Sequence, residues 1–268
     1  MSLLPLASCP KAVLAGLKAV LTDIDDTLTL HGRLPPEAFQ ALADLRAAGL
    51  KVIPVTGRPA GWCDHIARQW PVDGIVGENG ALSFRYDEPA RKMVRVYAQA
   101  VEVRKANSQK LWTIAEQVLK EFPGTAIASD QAYREIDVAI DFCEDVSPLP
   151  LATAQAIADR FAKEGAVAKV SSIHVNAWLG AHDKLTMSRR FLAEAFEIES
   201  LSDGEHVAYV GDSPNDAPMF AGFPIGIGVA NVMAYTKIMT HLPRYVTKAE
   251  GGLGFAEFAS AVLAAKGA

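Results

Sequence analysis

The chain has 268 residues, 50% of them hydrophobic, three cysteines and a net charge of −5. That apolar content is enough for a packed core, and the length leans toward two domains rather than one. Acids and bases are mixed along the chain with no basic run, which argues against nucleic acid as a partner, and no stretch is long and apolar enough to span a bilayer.

The N-terminus is mildly apolar but is interrupted by Pro5, Pro10, Lys11 and Lys18, so it lacks a signal-peptide core. Cys9, Cys63 and Cys143 are far apart and show no metal-ligand spacing; reduced thiols in a cytoplasm are expected. Residues 18–22 predict a buried strand. Pro35 and Pro36 precede a helix over 37–48, with Ala38, Ala41, Leu42 and Leu45 at helical spacing and Gly49 placed to end it. A strand over 51–55, a helix over 59–70 and a short strand over 74–77 follow, leading into Glu78-Asn79-Gly80-Ala81. Alternation of this kind predicts a parallel sheet with right-handed crossovers.

The rhythm then changes. Strands are expected at 82–85 and 93–98, a helix at 104–121, strands at 125–129 and 135–142, a helix at 151–164, and one or two strands in 166–178. This α+β block of roughly a hundred residues has the size of a small domain. The parallel pattern resumes near His182: a helix over 184–196, a strand over 207–210, a short helix from Ser213-Pro214, a strand over 225–229, a helix over 232–240, a short strand at 245–246 and a helix over 255–265. The expected fold is α/β: a doubly wound, Rossmann-like parallel-sheet core of residues 1–82 and 181–268, with an inserted α+β cap of residues 83–180. Ligands of such sheets bind at the carboxyl ends of the strands, and four polar clusters fall at strand ends or helix starts.

The first cluster is Asp23-Ile24-Asp25-Asp26-Thr27, which closes an apolar strand. Carboxylates there repel unless a cation or a proton lies between them. The stretch is either an Asp-rich turn or a site that holds a metal, uses a carboxylate as nucleophile, or both. Asp23 can attack phosphorus, and Asp25 is near enough for general acid–base work. Asp23 and Asp212, each ending an apolar strand, are placed to share a magnesium ion, with Asp216 a weaker candidate. Thr56, with the amides of Gly57 and Arg58, is either an ordinary helix cap or a phosphate cradle. Lys184 is either a solvated helix-start lysine or a fixed positive charge against a phosphoryl group. In Asp212-Ser213-Pro214-Asn215-Asp216 the residues after Asp212 suit a capped helix; Asp212 itself is not explained that way.

Together these clusters resemble the four motifs of the haloacid dehalogenase superfamily of phosphohydrolases. Asp23-Ile24-Asp25-Asp26-Thr27 resembles the Asp-x-Asp-x-Thr motif, Thr56-Gly57-Arg58 the second, Lys184 the third and Gly211-Asp212-Ser213-Pro214-Asn215-Asp216 the fourth. Glu78-Asn79-Gly80-Ala81 resembles a segment of the Cof-like, subclass IIB branch, which carries a large C2-type α/β cap between the second and third motifs. Asp26 stands where glycine is most frequent in the family, and Leu185 where many members of the branch have glycine. The resemblance implies Asp23 as nucleophile and Asp25 as acid/base. It implies Mg2+ held by Asp23, the Asp25 carbonyl and Asp212, and a phosphoryl group held by Thr56 and Lys184 with Asn215 orienting the shell.

In the cap, a strand through 172–178 would put Ser172, His174, Asn176 and Trp178 on one face. That face is either solvent-facing or suited to a hydroxyl-rich ligand such as a sugar. Arg134 either pairs with Asp137 and Asp141 or meets a second anionic group on a substrate. The expected activity is that of a cytoplasmic Mg2+-dependent phosphatase, a monomer or homodimer, acting on small phosphorylated metabolites and sugar phosphates foremost. The alternatives are a phosphomutase of the phosphomannomutase type, which returns the phosphoryl group to the sugar, and a non-catalytic metabolite-binding module on the same fold.

Overall fold

The structure is a computed structural model that describes residues 3–171, 173–199 and 204–268. Its main sheet has six parallel strands in the order β1 (Leu4–Pro5), β13 (Tyr245–Val246), β12 (Ile225–Gly228), β11 (Val207–Gly211), β2 (Ala19–Thr22), β3 (Lys51–Pro54). The period of two along each strand divides the core into two layers. Val20, Val52, Ala208, Val210 and Ile227 meet α2 (Pro36–Ala47), α3 (Ala60–Gln69) and α8 (Gly251–Lys266). Leu21, Ile53, Val207 and Tyr209 meet α6 (Lys184–Phe196) and α7 (Ala217–Gly222). The expected doubly wound α/β fold is borne out.

The N-terminal strand β1, and the short α1 (Lys11–Ala15) after it, were not expected from sequence. A two-residue edge strand carries too little pattern to be read. The helix expected at 232–240 is instead a 3-10 turn, Ala230–Tyr235. There Asn231 turns its amide back onto the Asp26 carbonyl and Asp212.

A second, antiparallel sheet joins β4 (Ile75–Gly77), β5 (Leu82–Asp87) and β6 (Lys92–Tyr97). It continues the main sheet through a parallel bridge between Val55 and Val76, and Leu82 and Phe84 pack into the main core. The expected insertion, 83–180, thus comprises a hairpin tied to the core sheet and a separate α+β block that follows it. In that block α4 (Val101–Glu121) and α5 (Leu151–Lys163) cover one face of an antiparallel sheet. Its strand order is β7 (Ala126–Ile127), β8 (Val138–Asp141), β10 (His174–Trp178), β9 (Val167–Val170). Val138, Ile140, Val175 and Ala177 point into the helices. Alternation then turns Asp137, Ala139, Asp141, His174 and Asn176 to the opposite face, with Asp141 beside His174 and Ala139 beside Asn176.

Two joints hold this block to the core. Gln99 and Asn107 both donate to the Leu179 carbonyl, tying the outgoing and returning segments side by side. Glu78, fully buried, accepts from the backbone N–H of Ala60 in the core and of Glu135, Ile136 and Asp137 in the block, at 2.7–3.0 Å. Four N–H donors on two carboxylate oxygens leave no position for a carboxyl proton, although burial, then the Asp137 charge, push its pKa up to about 7.

Candidate active site

The sheet order reverses between β2 and β11, which leave their carboxyl ends side by side; such a switch point is where ligands of open α/β sheets bind. Asp23 follows β2 and Asp212 follows β11. The backbone turns sharply after Asp25: Asp26 has φ +56°, a left-handed conformation that aspartate tolerates better than most residues. A preference for glycine at this position has the same steric cause.

Lys184, on the first turn of α6, reaches Asp23 at 2.8 Å and Asp216 at 3.2 Å, and all three side chains are buried. Asp183 caps that helix by accepting from the Thr186 N–H at 2.7 Å. The 78–80 turn lies directly against it. Gly80, at φ +94°, permits the approach, since a Cβ there would come within 2.0 Å of the Asp183 carbonyl oxygen. Leu185, where the family resemblance has glycine, fits because Gly222 of α7 presents no side chain to it.

Asp23, Asp212 and Asp216 each bring a carboxylate oxygen within 4.8 Å of the others. Burial, only partly opposed by Lys184 and reinforced by the Asp216 and Asp25 charges, lifts Asp23 to about 7. Burial and the same crowding hold Asp212 well above the ordinary carboxylate range. Burial alone would lower Lys184, but Asp23 and Asp216 outweigh it and raise it. Three carboxylates facing one ammonium leave a deficit of two positive charges (3 − 1 = 2), which a divalent, oxygen-seeking cation fits.

The three acids are not equivalent. Asp216 already accepts from Lys184, from the Tyr209 hydroxyl and from the backbone N–H groups of Asp212 and Ser213. Among the described residues Asp212 accepts only from the Thr27 hydroxyl and the Asn231 amide, each at 3.0 Å. Asp23 and Asp212 therefore keep lone pairs that Asp216 has spent on its neighbours.

Asp25 is partly exposed and is held by Arg58, whose guanidinium donates to both carboxylate oxygens at 2.8–3.1 Å. Arg58 also reaches Glu144 of the inserted block at 3.2 Å and lies over the Trp62 ring. Thr56 is fully buried and its hydroxyl accepts from the Arg58 N–H at 3.0 Å, so it does cap this turn. A cavity of about 30 Å³, room for a water or two, lies between the strand ends and the cap sheet. Asp23, Asp25, Gly57, Arg58, Arg134, His174, Asn176 and Asn215 are among its lining residues.

From the cap face, His174 and Asn176 line the same cavity as Asp23 and Asp25. Trp178 is buried away from the cavity lining, stacks on His182 and donates to its carbonyl at 3.2 Å. Ser172 lies outside the described residues. Arg134 pairs with Asp130 at 3.1 Å and Asp137 at 2.9 Å, and also donates to the Gly57 carbonyl. Sequence reasoning missed Glu144, Asp130, Tyr209 and Asn231. None of them lies in a motif or at an informative spacing; each is found only through its partner.

The sequence profile described as haloacid dehalogenase-like hydrolase matches residues 20–120. A phosphoglycolate phosphatase of Methanosarcina mazei is 27% identical over 244 residues, covering 90% of this chain and 94% of the relative. Among solved structures, Thermoplasma acidophilum 0175 superposes with a TM-score of 0.69 at 16% identity, covering 92% of this chain and 98% of that one. The sucrose-phosphatase of Synechocystis sp., solved with sucrose and phosphate, superposes with a TM-score of 0.64 at 14% identity, covering 91% and 97%.

Proposed function

We propose that the chain, which belongs to the haloacid dehalogenase-like hydrolases and is a phosphatase of their Cof-like branch, hydrolyses small phosphorylated metabolites, sugar phosphates foremost, with Mg2+ and through a phospho-Asp23 intermediate. The observation that carries this reading is the contact of Lys184 with Asp23 at the switch point, with Asp212 alongside. A binding module has no need of a nucleophile, a neutralising lysine and an uncompensated acid pair in one buried place.

Asp23 and Asp212 would hold the cation, which when bound draws off negative charge and keeps both carboxylates ionised. The chain's own groups do the rest. An oxygen of Asp23 attacks phosphorus and the bond to the leaving oxygen breaks, with a proton passing from Asp25 to that oxygen. Water then attacks the phosphorus, Asp25 takes its proton, and the Asp23 carboxylate is released with inorganic phosphate. Lys184 and the Gly57 amide bind the phosphoryl oxygens, Thr56 shapes that turn by accepting from the Arg58 N–H, and Asn215, which accepts from the Ser213 hydroxyl at 2.6 Å, orients the fourth-motif loop. The closed block excludes bulk water from the acyl phosphate.

Support for sugars comes from the cap sheet, which presents an imidazole and an amide, His174 and Asn176, to the cavity. Among the structural neighbours, the sucrose-phosphatase is named for a sugar phosphate. The test is a screen of phosphorylated metabolites for phosphate release with Mg2+, beside D23N. Wild-type release on sugar phosphates, lost at least a thousandfold in D23N, is expected; full activity in D23N would refute the mechanism. Release only with a sugar bisphosphate present would favour the phosphomutase.

A further inference from the structure

We propose that Glu144 determines leaving-group specificity: its carboxylate, held between two side chains that line the cavity, is a negative charge that rejects leaving groups carrying a carboxylate and accepts a hydroxyl of a neutral, polyol-type one. This rests on the phosphatase reading above and narrows its substrate class.

Glu144 belongs to the loop after β8 and joins the two halves of the site. One oxygen takes the Arg58 guanidinium at 3.2 Å, the other lies 2.8 Å from His174 Nε2, and both partners line the cavity. The loop is held in place by Asp141, which accepts from the N–H groups of Cys143, Glu144 and Asp145 at 2.8–2.9 Å. The His174 contact first, and Arg58 with it, hold the Glu144 carboxyl well below its usual range, so it is ionised whenever the enzyme works.

The charges around it decide the selection. The cations lining the cavity are Arg58 and Arg134. Arg134 is committed to Asp130 and Asp137. Arg58 faces Asp25 and Glu144, with Asp130 at 3.5 Å. A substrate carboxylate entering here would find each arginine already outnumbered by acids and Glu144 as its neighbour. A hydroxyl faces no such conflict, because it donates to Glu144 as readily as it accepts from His174 or Asn176. The relative named for phosphoglycolate and this chain would therefore differ in the charge of the leaving group they accept. Rejection by a like charge whose cationic neighbours are already spent is an ordinary route to specificity.

The experiment measures kcat/KM for phosphoglycolate and for a neutral hexose phosphate in wild type, E144Q and E144K with Mg2+. The quantity read is the ratio of the two. A disturbance of Asp25 through Arg58 lowers both values and cancels, as does partial loss of folded protein. Wild type should prefer the hexose phosphate. The ratio should move toward phosphoglycolate at least tenfold (about 1.4 kcal/mol) in E144Q, and further in E144K. A ratio that stays within twofold across the series, or wild type preferring phosphoglycolate, overturns the inference and leaves the phosphatase reading standing. Phosphate release from neither ester, nor from any phosphorylated metabolite, overturns both.

Discussion

Replacing Asp212 by asparagine should make the cation-depleted protein more stable while removing its activity. The Asp212 carboxylate shares a buried space with those of Asp23 and Asp216 within 4.8 Å. At that separation and an effective dielectric near 20, two like charges repel by about 3–4 kcal/mol. Lys184 bonds the other two acids and not Asp212, so it relieves only part of this. Against the gain stands one lost acceptor. The Asn231 NH2 also donates to the Asp26 carbonyl while its own oxygen accepts from Gly251, so the new amide keeps its oxygen there and turns its NH2 to the Thr27 hydroxyl, which must then accept rather than donate. Exchanging hydrogen bonds to a charged acceptor for neutral ones costs about 1–2 kcal/mol. A net gain of about 1–2 kcal/mol corresponds to a melting temperature roughly 2–8 °C higher in a chain of this size. Scanning calorimetry in EDTA measures it at alkaline pH, where the raised Asp212 carboxyl is ionised, and a magnesium titration supplies the second half. At a hundred times its Kd the ion should stabilise wild type by about 2.7 kcal/mol and D212N hardly at all, with phosphatase turnover down at least a hundredfold. A D212N protein that melts at or below wild type in EDTA, or that gains as much from magnesium, would refute the assignment of a cation to this cluster.

Two further outcomes follow from carboxylates elsewhere. E78Q turns one of the two oxygens that receive four backbone N–H groups into a donor; a loss of about 3 kcal/mol, or 6–12 °C in melting temperature, is expected, with faster amide exchange at 135–137, and an unchanged melt would show that this joint carries no stability. For Glu144, whose pKa is drawn down to about 2 by His174 and Arg58, the folded state holds the proton less tightly than the unfolded chain. Its contribution is full above about pH 4.5 and is lost as pH falls toward 2. With the side chain 30% exposed, solvent screening limits it to about 1 kcal/mol, so acid titration of stability should have a shallower limb in E144Q, and identical limbs would contradict the pairing.

What the sequence disclosed and what it withheld have separate physical causes. Strands buried on both faces read as apolar runs, and their ends fix where side chains emerge, which makes Asp23 and Asp212 legible; Lys184 is marked instead by opening a helix where the parallel pattern resumes, and it meets Asp23 at 2.8 Å with Asp212 within 4.8 Å of that acid. Period-two alternation likewise put His174 and Asn176 on one cap face, and the helices covering the opposite face turn it to the core. Trp178 obeyed the same alternation yet points to His182, because at the end of β10 the chain leaves the sheet and the neighbouring turn, not the cavity, adjoins it. Glu144 was invisible because a carboxylate in a loop has no period and no cap to mark it. Its partners, Arg58 and His174, are 86 and 30 residues away (144 − 58 and 174 − 144); the pairing of β8 with β10 brings His174 to it, and the docking of cap on core brings Arg58.

That docking bears on the chemistry through one guanidinium. Arg58 grips Asp25 with two nitrogens and Glu144 with one of the same pair. On the proposed mechanism Asp25 must pass a proton, yet Arg58 donates to both of its oxygens. An incoming phosphoryl group would compete for the same guanidinium donors. Phosphate arrival and the freedom of Asp25 would then be linked through a single side chain of the second motif, and a substrate that cannot draw Arg58 toward its phosphate would leave Asp25 held.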